Sequence, residues 1–388
     1  MAKQYENYAS FQSPMMEGMG PVADRELQDT SDIHLPEDIE VISADNHWEI
    51  TEDIFYENFP AHLKERAPRV WFDGYWRIGR PDVKEAFGLG ENIERTLTRG
   101  FTPTAWSHDV RIKDLERDGM TKEIVFPQSL LGYVDPDPEI REWIYKVYND
   151  YLADQQRQNP NFIGVGLCQN WWDKDKIEGA FDRLTELGIK VFMMPTKLKN
   201  FQGKEMSYAD PEMEPFWEVA NAAGLPLCFH VGEALNFEGR GALAAGALQV
   251  FAPFRGTISQ LVFGGVFDRS PNMQVVFAEG GIGWALPWLQ DAEAMFDLYG
   301  NGDLLDRIEN RPSYYWHQNC SATFQVDELG LSHLDILGVD RVMWAADYPH
   351  SEGTFGFSRK AMKAVVDQIG AENGRKVLGG NAKRIFNI

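Results

Sequence analysis

From about residue 40 onward, short runs of near-continuous apolar residues alternate with longer stretches whose apolar positions recur at helical spacing. The short runs predict strands over Ile39–Ala44, Glu123–Pro127, Phe162–Leu167, Lys190–Met194, Pro226–His230, Gln274–Ala278, Tyr314–Asn319 and Arg341–Ala346. The intervening stretches predict helices over Pro138–Gln158, Lys174–Leu187, Met213–Ala223, Trp284–Leu298, Val326–Leu337 and Ser358–Ile369. Interiors such as Val191-Phe192-Met193-Met194 lack the polar alternation of a half-exposed strand. Parallel strands covered on both faces have this character. Gly188, and Gly224-Leu225-Pro226, stop helices just before the next strand begins. Strands separated by helices in this order predict an α/β fold, a closed (β/α)8 TIM barrel. An open doubly wound sheet is the alternative, but no G-x-G-x-x-G follows the first strand.

Two segments break the alternation. Residues 1–38 are polar, with Met15, Met16 and Met19 scattered among them, and predict an N-terminal arm ahead of a barrel unit over 39–388. An insertion of about 60 residues, 51–107, follows the first strand and carries Tyr75, Trp76, Arg77, Arg80 and Trp106. Connections of that length usually serve as lids or oligomer contacts.

Charge narrows the partners. The 388 residues carry 37 basic and 59 acidic side chains, a net −22. That balance excludes the clustered Lys and Arg by which nucleic acid and anionic membranes are bound. Cys168, Cys228 and Cys320 show no C-x-x-C spacing and sit in apolar runs, which predicts inert buried thiols. With neither a basic-then-apolar start nor an apolar run of about 18 residues, the chain reads as cytoplasmic.

Polar residues close several apolar runs. The first strand ends Ala44-Asp45-Asn46-His47-Trp48-Glu49, the fifth Phe229-His230, the sixth Ala278-Glu279 and the eighth Ala346-Asp347-Tyr348-Pro349-His350. In a parallel barrel, these ends form the functional face. Asp45 and His47 are two apart and share a strand face. Burying such charges unpaired is costly, so they must pair with each other or with a cation. Two imidazoles and two carboxylates suit a divalent transition metal.

The chain resembles the amidohydrolase-2 branch of the metal-dependent amidohydrolase superfamily over residues from about 40 to 388. The resemblance rests on Ser43-Ala44-Asp45-Asn46-His47-Trp48-Glu49, Leu115-Glu116-Arg117-Asp118-Gly119 and Tyr148-Asn149-Asp150-Tyr151-Leu152. It continues through Gly224–His230, Ala278–Trp284, Ala346–His350 and Gly380–Phe386. It implies metal ligands at Asp45, His47, His230 and Asp347, and homodimers or homotetramers. Asp45 stands where many members have His, which hardens the site and leaves zinc, manganese or iron open. Glu279 replaces the His with which the branch's decarboxylases act on substrate; it serves as a general base or as a further ligand, bridging to a second cation.

Metal-activated water predicts hydrolysis of an amide, ester, lactone or activated C–C bond, with Asp347 or Glu279 moving the proton. The alternative is non-oxidative decarboxylation of an aromatic or enoic acid. A non-catalytic protein stabilised by its metal is the third reading. High aromatic content favours a small aromatic or apolar carboxylated substrate. Trp48 and His317 are candidates to line its pocket, Arg80 and Arg240 to hold its carboxylate, and His350 to orient a ligand.

Overall fold

The computed structural model describes residues 29–72, 76–79, 107–128, 130, 137–168, 170–200, 202, 204–231, 254–299, 308–350 and 353–388. Strands β1 (Ile42–Trp48), β4 (Lys122–Pro127) and β5 (Phe162–Gly164) form one parallel sheet. A second parallel sheet runs in the order β11 (Val342–Trp344), β10 (Cys320–Phe324), β9 (Val275–Ala278), β8 (Leu227–His230), β7 (Phe192–Met193), β6 (Gly166–Leu167). In the chain between β1 and β4, β2 (Arg69–Phe72) and β3 (Trp76–Gly79) pair antiparallel inside the predicted insertion.

The two parallel sheets are joined at both margins. Val165 N donates to Val125 O and Gly166 N to Val191 O, each at 2.9 Å, so β5 and β6 act as one stave handed between sheets. At the other margin His47 N donates to Tyr348 O (2.7 Å) and Asp347 N to Asp45 O (2.9 Å). The strand order therefore returns to its start, and helices such as Pro138–Gln158, Ile177–Glu186, Ala285–Tyr299 and Ser358–Arg375 lie between successive staves. A contiguous apolar core fills the interior and the strand–helix layer, with Ile124, Phe126, Phe192, Phe229, Val276 and Trp344 among its buried members.

Several predicted elements shift. The run Tyr314–Asn319 is helical, part of Pro312–Asn319, and the strand is the next segment, Cys320–Phe324. Aromatic residues gave 314–316 a strand-like look, but Tyr315 and Trp316 are buried while Tyr314 is exposed, and Pro312 opens the first turn. The true strand, Cys-Ser-Ala-Thr-Phe, is fully buried yet too small and polar to register as an apolar run. The first strand starts at Ile42 and continues through His47, so its polar end lies inside the strand. Predicted helix Val326–Leu337 is two short turns, Glu328–Leu331 and Leu334–Leu337, the first capped by the Asp327 carboxylate accepting from Gly330 N. Of the arm, residues 1–28 lie outside the described residues, as do Tyr75, Arg80 and Trp106 of the insertion and the side chains of Trp76 and Arg77. Among the described residues no helix is long and apolar enough to cross a membrane.

Candidate metal centre

The site is assembled by backbone irregularities at strand ends. The β1–β4 register slips by one residue between Ser43 and Asn46, a bulge of the kind that re-aims side chains. Past it, Asp45 and His47 face inward while Asn46 and Trp48 face out. His230 closes β8, and Glu279 follows β9 with a left-handed backbone (φ 64°). Asp347, after β11, is left-handed as well (φ 56°). Left-handed conformations are uncommon for residues other than Gly, Asn and Asp, so the costlier of the two is Glu279.

These residues converge. His47 Nε2 lies 3.1 Å from Asp347 Oδ1, 3.5 Å from Glu279 Oε2 and 3.6 Å from Asp45 Oδ1. His230 Nε2 lies 3.1 Å from Glu279 Oε2 and 3.2 Å from Asp45 Oδ1. His350 stacks on His47 with ring centroids 3.9 Å apart and brings its Nδ1 to 2.8 Å from Asp347 Oδ1. All six residues are buried. Asp45 Oδ2, both ring nitrogens of His47 and Asp347 Oδ1 nonetheless lack a hydrogen bond of sound angle. Buried polar atoms without partners are rare. One donor atom each from Asp45, His47 and His230, and one each from His47, Glu279, Asp347 and His350, lie within 4.8 Å of one another.

The donor set fits a divalent cation. Ligands about 2.1 Å from one centre stand about 3.0–3.4 Å apart, close to the separations above. The oxygen-rich mixture favours harder ions over a thiolate-seeking one. Electrostatics agree with a cluster short of positive charge. Burial lowers the His47 imidazole to about 4, helped by the neighbouring His350. Against the same burial, Asp45 and Glu279 hold His230 up at about 9. Burial, reinforced by the Asp347 charge, pushes Glu279 well above the usual carboxylate range, whereas His350 and His47 hold Asp347 below it despite burial.

Not every expected residue joins the cluster. Trp48 points outward, stacks on His108 (4.7 Å) and donates its indole N–H to Tyr151 Oη (2.9 Å), so it packs strand against helix. His317 lies on helix Pro312–Asn319, ahead of β10 and therefore at the opposite end of the strands; its ring faces Gly338 and Arg341. Arg80 and Arg240 lie outside the described residues.

The supporting residues went unread in the sequence. Gln128 Oε1 accepts from His350 Nε2 (2.7 Å), Gln325 Nε2 donates to Asp347 Oδ2 (3.1 Å), and Thr323 Oγ1 accepts from Glu279 N (2.8 Å). Arg111, fully buried, grips Glu123 through two bonds (2.6 and 2.5 Å) and donates to His47 O (2.8 Å). Asn46 Nδ2 donates to the same carboxylate (2.7 Å) while its Oδ1 accepts from Tyr348 N (2.9 Å). A charged Glu123 at the head of an apolar strand was the available signal for this network.

Comparison with known proteins places these observations in context. The amidohydrolase family profile matches residues 97–388. A curated relative, the 2-amino-3-carboxymuconate-6-semialdehyde decarboxylase of Dictyostelium discoideum, is 25% identical over 220 residues, 52% of this chain and 59% of that protein. The chain thus matches about six tenths of that relative's length. Among solved structures, an amidohydrolase from Mycobacterium avium subsp. paratuberculosis K-10 superposes with TM-score 0.70 at 18% identity, covering 90% of this chain and 100% of that one. The 5-carboxyvanillate decarboxylase of Novosphingobium aromaticivorans DSM 12444, complexed with manganese and 4-hydroxy-3-methoxy-5-nitrobenzoic acid, gives TM-score 0.65 at 19% identity, covering 93% and 100%. At such identities the likeness speaks to fold alone.

Proposed function

Taking as premise that the chain belongs to the amidohydrolase family, we propose that it is a metal-dependent non-oxidative decarboxylase of a small aromatic or enoic carboxylic acid, built on a (β/α)8 barrel with an insertion after β1. What carries this reading is the presence, in one buried cluster, of a metal-fit donor set and, contiguous with it, a carboxylate–imidazole pair, Asp347 with His350. The curated relative and several structural neighbours, named as decarboxylases, favour C–C cleavage over the hydrolysis first expected from the sequence.

Asp45, His47 and His230 would hold the cation together with a carboxylate from β9 or β11. Manganese is favoured by the oxygen-rich donors and by its presence in the Novosphingobium enzyme. When bound, a divalent ion anchors the substrate's anionic oxygens and draws electron density from the carbon that loses its carboxylate. The residues do the rest. Gln128 accepts the His350 Nε2 proton and so fixes the ring, leaving Nδ1 against Asp347 Oδ1. Gln325 anchors the other Asp347 oxygen. Asp347, held ionised, thereby orients a protonated His350, whose Nδ1 proton passes to the carbon that bears the substrate's carboxylate; the carbon–carboxylate bond breaks and CO2 departs, so that RCOO− and H+ become RH and CO2. Burial excludes the water that would compete. The N-terminal arm and insertion are read as contacts between subunits of a homodimer or homotetramer.

The test is turnover of manganese-loaded protein with a panel of carboxylated phenols, enoic acids, esters, lactones and amides in isotopically labelled water. The expected result is CO2 release with one solvent hydrogen, and no solvent oxygen, in the product. Solvent oxygen in the product would establish hydrolysis instead. Manganese that raises the melting temperature while no panel member turns over would favour a non-catalytic role.

A further inference from the structure

Arginines in this acidic chain commonly hold a carboxylate, as Arg66, Arg69, Arg183, Arg255, Arg269 and Arg311 do. Among the described residues Arg117 and Arg359 do not. Both line a cleft of about 820 Å3 formed by the end of helix His108–Asp118, the start of helix Ser358–Arg375 and residues 29–34. None of the residues lining it belongs to the metal centre. We propose that this cleft is a second binding site, which takes the phosphate group of a small phosphate monoester on Arg117 and Arg359.

The first ground is positive charge held in place without compensation. Arg359 Nε donates to Arg117 O at 3.1 Å. A Cβ added to Gly119 would stand 2.9 Å from Arg359 Cζ and 3.1 and 3.2 Å from its two Nη atoms, so the guanidinium turns its face to the glycine. Gly119 also holds φ 89°, and a side chain there is excluded on both counts. The Arg117 guanidinium lies over the Phe355 ring, 5.9 Å from its centroid, a contact that uses none of its N–H groups. Among the described residues, no acceptor meets the Nη atoms of either arginine. Two like charges sharing a cleft repel each other. A dianionic oxygen group removes that repulsion and takes up the free donors in pairs.

The second ground is the rest of the lining. Thr30 is only 8% exposed, yet its hydroxyl has no hydrogen-bond partner among the described residues. His34 adds an imidazole to the same wall. The acidic neighbours do not neutralise the arginines. Asp29 Oδ1 accepts from Ser31 N (3.1 Å) and Ser31 Oγ (2.7 Å), and Glu116 is exposed and forms no described ion pair. Three terminal oxygens and nearly two charges match two guanidiniums and a hydroxyl better than a single carboxylate does. The cleft is far larger than one phosphate, and Ile33 gives it an apolar side for an organic body.

The test is calorimetric titration of full-length, manganese-loaded protein at low ionic strength, with phenyl phosphate and separately with inorganic phosphate. Phenyl phosphate should bind saturably at one site, more tightly than inorganic phosphate, and more weakly as salt is added. R117Q and R359Q should each raise its Kd at least about tenfold while leaving manganese affinity unchanged. R359K, which keeps the charge and loses the planar fork, should recover part of the loss. Should R359Q unfold for want of its Nε bond, R117Q supplies the same readout. E116Q should bind at least as tightly as the unsubstituted protein. H230A, which removes a donor from the metal centre, should still bind, and so separates this site from phosphate held by the cation. The proposal is overturned if the arginine variants titrate like the unsubstituted protein, if H230A loses the binding instead, or if no saturable binding occurs. Weaker binding by E116Q would mark a site for a cation or zwitterion and overturn it too. Inorganic phosphate binding as tightly as phenyl phosphate would overturn the choice of a monoester.

Discussion

At the scale of single residues, the site depends on backbone positions that have no room to spare. Gly353 packs against the main chain behind the β11 carboxylate, where an added Cβ would lie 2.5 Å from Asp347 O and 2.6 Å from Ala346 O. Both obstacles are backbone atoms, which cannot swing aside as a side chain can. G353A is therefore expected to cost about 1–3 kcal/mol of folding stability and to displace Asp347 from His350. Urea denaturation should show the loss, and turnover should fall with it. Equal stability and full activity would mean that the segment relaxes freely. The residues with their own charge were legible in the sequence for a simple reason: Asp45, His47, His230, Glu279 and Asp347 each interrupt apolar surroundings, where a lone charge demands a partner. Gln128, Thr323 and Gln325 were not, because uncharged polar residues at strand ends are ordinary and only their partners give them meaning. Trp48 was misplaced by one step of strand alternation: inward Asp45 and His47 require it to face out.

Between elements, the decisive junction is the margin where β1 meets the segment after β11. Short main-chain bonds there would not by themselves set the angle at which Asp45, His47 and Asp347 enter the site. Arg111, from helix His108–Asp118, does so by binding the Glu123 carboxylate of β4 at two points and the His47 carbonyl at a third. Ser43 Oγ accepts from Ala346 N (2.8 Å) and donates to Asn46 Oδ1 (2.9 Å), extending the same network across the margin. A buried ion pair adds little against an apolar replacement, but removing one partner strands the other. R111M should thus destabilise by about 3–5 kcal/mol, and R111M/E123Q should recover part of that loss. A double-mutant cycle by chemical denaturation gives the coupling; strictly additive losses would show that the pair does not act as a unit. The alternation of strands and helices was legible because parallel staves must be apolar throughout. It failed at the seventh stave, where β10 is buried by tight packing of small residues rather than by bulk, and where the preceding aromatic helix drew attention to the wrong segment.

For the molecule as a whole, the question is how pH reaches a fold that carries net charge −22 and a buried cluster of carboxylates and imidazoles. Protonation within the cluster is tied to cation binding and does not report on folding alone. His108, on the outer side of β1, does. Its ring stacks on Trp48, its Nε2 donates to Gln155 Oε1 (3.0 Å), and its Nδ1 is buried without a partner among the described residues. Burial, with Arg111 nearby, lowers its affinity for a second proton below the ordinary value of 6.5. The unfolded chain therefore takes up a proton that the folded state resists. The stability this contributes is complete above pH 6.5 and is lost as pH falls from there through the lowered folded value. H108Q removes the titration and keeps a donor for Gln155. Its stability, measured by urea denaturation between neutral and mildly acidic pH, is expected to fall less steeply than that of the unsubstituted protein. Parallel curves would show that His108 takes up its proton as readily folded as unfolded. A difference confined to alkaline pH would contradict a folded state that resists the proton. The slope removed by H108Q is the part of acid sensitivity that belongs to packing β1 against its helices, separate from whatever the cation at the strand ends contributes.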